Sequence, residues 1–162
     1  MAMMVIHCET GDDVQIDGDS LVGAKLAGLN LHRALLDGKE LNGADLSGAD
    51  LRSAWLERAN LEQANLTRAK LPACNASRAS FVRANLSEAF MRSGIFEQAD
   101  FTWADLRSAD VGRARFAGAL FYGADLRAID LAEADLKGAR ADGSTKWPAG
   151  FDPVAHGVEV QS

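Results

Sequence analysis

Three histidines, His7, His32 and His156, and two cysteines, Cys8 and Cys74, are the residues of this chain best suited to proton transfer, metal binding or nucleophilic attack. Their spacing assigns them none of these roles. No serine or cysteine has a base at a recognisable offset, no glycine-rich phosphate loop is present, and the cysteines lack the paired spacing of a zinc site. The expectation is therefore a non-enzymatic protein with no catalytic residue, no cofactor and no metal. Both cysteines are expected to be free thiols in a reducing cytoplasm. The remaining chemical groups are charges: 17 Lys and Arg against 23 Asp and Glu, a net charge of −6. Whatever the protein does must be done by its outer surface, so the elements that build that surface come next.

Those elements follow a period of five. Every fifth residue from Leu21 to Leu136 is apolar except for Ala76, a small one, and the residue two places earlier is nearly always alanine, as in A-D-L-S-G at 44–48, A-N-L-E-Q at 59–63 and A-D-L-K-G at 134–138. A helix repeats a face every 3.6 residues and a strand every second residue, so neither fits. On a helix five residues advance by about 140°, which would scatter the leucines round every side. A short extended piece works instead: Ala44 and Leu46 point inward, Asp45 points outward, and Ser47 and Gly48 make a corner.

This motif resembles the pentapeptide-repeat family, whose consensus is A-(D or N)-L-x-x. The resemblance implies an all-β fold: a right-handed four-sided parallel β-helix, one repeat per side, in which residues twenty apart lie above one another. The twenty-four centres then make about six coils, a rod roughly 29 Å tall at the usual strand spacing of about 4.8 Å.

Stacking at twenty sorts the centres into four columns. The expected core includes Leu46, Leu66 and Leu86 with Phe81, Phe96, Phe101, Phe116 and Phe121, since two columns change from leucine to phenylalanine in the later coils. A stacked core, rather than a ligand box, is the reading of these aromatics. The alanine position is broken at Leu29, Lys39, Cys74, Gly94 and Ile129. An inward lysine needs a partner or an exit to water. Asp19 lies one coil earlier in the same column, so an Asp19 to Lys39 ion pair is expected, with Lys39 reaching solvent as the alternative.

A solenoid exposes strand edges at both ends and needs covers. Residues 1–15 read as an N-terminal hairpin cap, with alternating runs at 4–9 and 14–17 around Thr10-Gly11-Asp12-Asp13. Residues 16–141 read as the β-helix, and 142–162 as a C-terminal capping tail in which Trp147 and Phe151 cover the last coil or a second copy docks end to end. The protein is thus expected to be a monomer or an end-to-end homodimer. No run is apolar enough to span a membrane and no signal peptide is evident, which places it in the cytoplasm without membrane contact.

Two outward apolar groups mark candidate interaction surfaces: Leu35, Trp55 and Ile95 on one side, Trp103, Leu120 and Tyr122 on another. The acidic columns through Asp105, Asp110, Asp125 and Asp130 are a third. The main expectation is a scaffold or protein-binding module whose protein partner is unidentified. The family resemblance adds an alternative, a DNA-like acidic rod that binds DNA gyrase or topoisomerase IV and protects it from poisons. Charge distribution weakens that alternative: residues 1–62 carry 5 basic and 11 acidic groups, 63–95 carry 5 and 1, and 96–162 carry 7 and 11. Aspartate and asparagine before a centre are also expected to bond nearby turn amides, a structural role. Direct nucleic-acid binding through the basic middle, Arg68, Lys70, Arg78, Arg83 and Arg92, is the least favoured reading.

Overall fold

In almost every repeat the chain turns immediately after the central residue. The Ala44 amide donates to the Leu41 carbonyl at 3.0 Å, closing a four-residue turn whose third residue, Gly43, has φ +69°; this is the positive φ of a type II turn. The same corner recurs with side chains that dislike it, including Arg58 at φ 58° and Trp103 at φ 60°. A left-handed conformation costs a non-glycine residue roughly 1–2 kcal/mol. The corners hold because each is followed by a rung bonded both up and down: the Asp45 amide donates to Ala24 O at 2.9 Å and the Leu46 amide to Asn65 O at 2.7 Å.

The computed structural model describes residues 2–162, and its single-residue parallel rungs form four ladders, the sides of a right-handed rod. One side runs Lys25, Asp45, Asn65, Asn85, Asp105, Asp125, Lys146; the next runs Asn30, Asp50, Lys70, Phe90, Asp110, Ile129. The third runs Leu35, Trp55, Asn75, Ile95, Arg115, Asp135, and the fourth Glu40, Asn60, Ser80, Asp100, Leu120, Arg140. Rung side chains face outward, while centres and alanines fill the interior; Leu46, Leu66, Leu86 and all five ladder phenylalanines are fully buried. Phe81, Phe101 and Phe121 stack at centroid distances of 4.8 and 5.3 Å, and Phe96 and Phe116 at 5.4 Å. The two stacks meet edge to face, at 5.9 Å between Phe81 and Phe96, the geometry the ring quadrupoles favour.

The breaks in the alanine position resolve differently from one another. At Gly94 an added Cβ would lie 2.5 Å from Phe96 Cε2, so the ring occupies the methyl's place. Gly94→Ala should therefore cost about 1–3 kcal/mol through overpacking. Chemical denaturation reads this, and the added change Phe96→Leu should recover part of the loss; no loss in the single variant would contradict the packing. Cys74 is wholly buried, and desolvation pushes its thiol up to about 12, which leaves it inert as a nucleophile.

Two expectations are corrected. Lys39 is exposed, as is Asp19, and the two make no ion pair. The first coil has no rung below it at this side, so the ammonium reaches water along its stem. Ile129 points outward, not into the core, and is 51% exposed. The corner before it is one residue short, because the Ala128 amide donates to Leu126 O at 2.7 Å in a three-residue turn. Ile129 consequently takes the rung above Asp110, nineteen residues on. A 3-10 turn at Leu131–Glu133 restores the missing residue, and Asp135 pairs with Arg115 in the ordinary register.

Strands β1 (Met3–Ile6) and β2 (Val14–Asp17) form an antiparallel hairpin in which Met4 faces Ile16. Ile16, in phase with the centres, thus belongs to the hairpin. The chain after β1 continues onto the first coil, where the Leu35 amide donates to His7 O at 2.8 Å and the Glu9 amide to Arg33 O at 3.1 Å. At the other end β3 (Arg140–Asp142) pairs in parallel with β4 (Glu159–Gln161). Trp147 stacks on Phe151 at 5.5 Å and Phe151 on His156 at 4.4 Å; Trp147 and Phe151 are half-buried against the core. Among the described residues no helix is long and apolar enough to cross a membrane.

Candidate functional site

The acidic columns are built from short local hydrogen bonds. Asp45 Oδ1 accepts the Ser47 amide at 3.0 Å and its hydroxyl at 2.6 Å; Asn65 does the same for Thr67, and Asp100 for Thr102. A rung carboxylate or amide thereby holds the first residue of the next corner. This is why aspartate and asparagine alternate there without regard to charge.

Where the corner begins with arginine, the carboxylate is also neutralised. Arg107 Nη2 donates to Asp105 at 2.6 Å with its Nε on the same group, and Arg127 grips Asp125 in the same way at 2.6 Å. Asp50 and Arg52 repeat the fork at 2.7 Å. Burial alone would raise the Asp105 carboxyl, yet the Arg107 guanidinium and amide outweigh it and hold the group below its ordinary value. At Asp125 the Arg127 side chain, working against burial, does likewise. The other two sequence-selected acids share one cation: Arg92 reaches Asp110 at 3.2 Å, Asp130 at 2.6 Å and Glu133 at 3.3 Å. Its guanidinium lies over Gly112, where a Cβ would come within 2.5 Å of it. Arg92 therefore ties the displaced turn at Asp130 to the regular coil beside it. The signal for the forks was present as the triplet Asp-Leu-Arg at 50–52, 105–107 and 125–127; the Arg92 cluster had no such local sign.

The basic middle does not converge. Arg68 pairs with Glu88 at 3.0 Å, Arg92 is engaged as described, and Arg78 donates to Gln98 at 3.0 Å. Lys70 lies on the second side, Arg83 at the corner after the fourth and Arg78 at the corner after the third. A girdle running right round a rod offers no single track to a phosphate backbone.

The apolar groups are better assembled. Leu35 and Trp55 are adjacent rungs, 43% and 38% exposed, with Asn75 and then half-buried Ile95 above them on the same side. Glu9 borders this strip. Its carboxylate accepts Arg33 Nη2 at 2.7 Å and Nε at 3.0 Å, and the Arg33 guanidinium with the Trp55 indole N–H holds it below the usual carboxylate range. A shallow groove follows, lined by Glu9, Arg33, Trp55, Ala73, Asn75 and Ile95. Trp103, Leu120 and Tyr122 meet around one edge of the rod: Trp103 and Tyr122 share a corner through the bond from the Trp103 amide to Tyr122 O, 2.9 Å, and Leu120 is the neighbouring rung. The Trp103 ring lies flat on Gly123, whose added Cβ would be 2.4 Å from Cε3. It nevertheless stays 56% exposed. Sequence patterning missed a third group, Phe90 and Ile129, which share a groove only because of the short corner. Among the described residues no cluster of three or more His, Cys, Asp or Glu could hold a metal ion.

Four ladders, corners of four residues and an interior of stacked small and large apolar side chains define a right-handed quadrilateral β-helix whose working surfaces are its outer walls. The chain belongs to the pentapeptide-repeat family: the model for pentapeptide repeats matches in overlapping segments from residue 24 to residue 145. Among solved structures it resembles HetL, a pentapeptide repeat protein involved in heterocyst differentiation regulation from the cyanobacterium Nostoc sp. strain PCC 7120, at 31% identity and a TM-score of 0.65, over 78% of this chain and 65% of that one. Rfr23 of the cyanobacterium Cyanothece 51142 is 33% identical over 60% of this chain and 63% of its own, with a TM-score of 0.55. The chain thus spans a little under two thirds of the length of each. QnrB1, a plasmid-mediated fluoroquinolone resistance protein, shares the fold at 19% identity and a TM-score of 0.52, over 91% of this chain and 87% of that one. No curated protein matches the chain in sequence.

Proposed function

We propose that the protein is a non-catalytic interaction module that binds a protein through the side carrying Leu35, Trp55 and Ile95. One observation carries this reading. The selected acids of the other surfaces are satisfied by arginines of the same chain, whereas the Leu35 and Trp55 rungs stand side by side, apolar and exposed, next to the Glu9–Arg33 ion pair. Rigid aromatic anchors of this kind concentrate binding energy at interfaces. The regulatory role of HetL is compatible with such a module. Free, buried cysteines fit a reducing compartment, the cytoplasm.

The gyrase-binding alternative is the weaker reading. A rod that replaces DNA in a groove needs sustained uncompensated negative charge, and here Asp105 and Asp125 are each forked by an arginine while Asp110 and Asp130 share Arg92. The resemblance to QnrB1 extends to the fold alone. Gyrase supercoiling assayed with and without a fluoroquinolone, at rising protein concentration, should show neither inhibition nor protection. Protection would overturn the preference. Trp55→Ser should leave the melting curve unchanged and weaken capture of the bound protein by tenfold or more, roughly the worth of one aromatic anchor. Undiminished capture would reject this side as the binding surface.

A further inference from the structure

The cap at the base of the rod leaves one strand edge unpaired, and the proposed function makes no use of it. Along β1 and its continuation, even-numbered residues bond toward β2: the Gly18 amide donates to Ala2 O and the Cys8 amide to Asp13 Oδ1, each at 2.9 Å. Odd-numbered residues face the opposite edge, where the bonds of His7 to Leu35 and of Glu9 to Arg33 join the cap to the first coil. Met3 and Val5 are the preceding odd positions. The coil turns away from them at the corner of Asp37 and Gly38, the latter at φ +66°, so among the described residues neither their amides nor their carbonyls have a partner. Their side chains are 55% and 39% exposed on the outer face of the hairpin. Natural edge strands are commonly protected by charge, proline or a bulge. Met3–Ile6 has no charged residue and no proline, and it pairs with β2 without interruption. The groove alongside, lined by Leu21, Leu35 and Leu36, carries Asp37 and Lys39, whose charges are opposite.

We infer that a second copy of this chain lays its own β1 antiparallel along this edge, about a two-fold axis through Met4. The register follows from the parity of the bonds. Only odd residues present N–H and C=O here, and an axis at Met4 sets Met3 of each copy opposite Val5 of the other, each pair exchanging two hydrogen bonds. Every donor and acceptor of Met3 and Val5 is thereby matched. The same register places Met3 against Val5 on the outer face, an apolar cross-strand pair. Because β1 is uncharged and Asp37 and Lys39 leave the groove without net charge, the contact buries no unpaired charge. A charged strand would instead set its charges against Met3, Val5 and the leucines of the groove. The product is a four-stranded sheet in the order β2–β1–β1–β2 joining two rods at their bases. Leu35 borders it, whereas Trp55 and Ile95 line a separate groove farther along the third side. The other end of each rod, with β4, stays free.

Val5→Pro separates this contact from the fold. The Val5 amide bonds nothing within the chain, so proline removes a donor from the free edge and none from the hairpin. In sedimentation the unmodified protein should dimerise. Val5→Pro deletes one bond in each half of the contact and should weaken the dimer by about tenfold or more, with its melting curve unchanged. Should proline disturb the hairpin, Val5→Lys keeps the amide, sets a charge opposite Met3 and should weaken the dimer as well. Hydrogen exchange reads the register: the Met3 and Val5 amides should gain protection as concentration rises, while those of Met4 and Ile6 are protected throughout. A mixture of the single variants Met3→Cys and Val5→Cys should oxidise to the mixed dimer in excess over either homodimer. Paired Cα atoms in such a ladder lie about 5.5 Å apart, within the span of a disulfide, and the native cysteines are buried. A monomer at every concentration, a dimer whose Met3 and Val5 amides stay unprotected, a dimer indifferent to both Val5 variants, or one lost only when β4 is deleted would each overturn the inference. Trp55→Ser acts outside this contact, so failure of the proposed function would leave these results unaltered.

Discussion

Phe101→Ala should destabilise the protein by about 3–5 kcal/mol, the largest effect expected of a single substitution here. Phe101 lies in the middle of the aromatic interior, stacked between Phe81 and Phe121 and edge-on to Phe96 at 5.8 Å and Phe116 at 5.6 Å. A cavity costs less where its walls can close. Here they cannot: the Phe81 amide is bonded to Asp100 O and the Phe101 amide to Leu120 O, each at 2.7 Å, so the rungs above and below stay at their spacing. The void remains, and the upper part of the range applies. Urea unfolding followed by far-UV circular dichroism measures it, and a midpoint equal to that of the unmodified protein would show that these rings do not share the interior as described.

Leu66→Ala is expected to cost about 2–5 kcal/mol. Leu66 is completely buried in the all-leucine column, with Leu46 below and Leu86 above. Its consequence should be more local than its size suggests. In a solenoid each coil touches only its neighbours, so stability is close to a sum of coil and interface terms. Hydrogen exchange should therefore accelerate first in the rungs around Asn65 and Asn85, while the aromatic coils remain protected. Uniform acceleration along the rod would instead indicate a single cooperative unit, and an unchanged melt would reject the register that places Leu66 inside.

These two predictions depend on residues whose positions were legible without a structure, and the reason is the length of the pattern. A period of five sustained through twenty-four centres leaves one consistent inside and one outside, and family membership supplied the number of sides. The hairpin was readable from two alternating runs around a turn. The candidate surfaces were readable only as positions. That Leu35 and Trp55 face outward followed from the period; that Glu9 would reach across from the cap to pair with Arg33 beside Trp55 did not, because the contact joins segments far apart in sequence. The acidic columns illustrate the opposite limit. Their net charge was countable, but the forks between Asp105 and Arg107 and between Asp125 and Arg127 decide whether that charge is presented or compensated.

Lys39 and Ile129 mark where a repeat ceases to dictate conformation. Both occupy a position that buries alanine elsewhere, and both are exposed. For Lys39 the missing lower coil opens a path to water. For Ile129 the corner contracts by one residue, which trades burial of a branched side chain for half-buried Ala128 and is compensated by the 3-10 turn at Leu131–Glu133. The sequence by itself determined the interior, the outward positions and the five-residue spacing of the rungs, because those depend on a local rule applied many times. Only the tertiary structure decided which charges cancel, which rung slips and which apolar residues share a wall, because each of those depends on the competition between one local preference and the neighbours it meets one coil away.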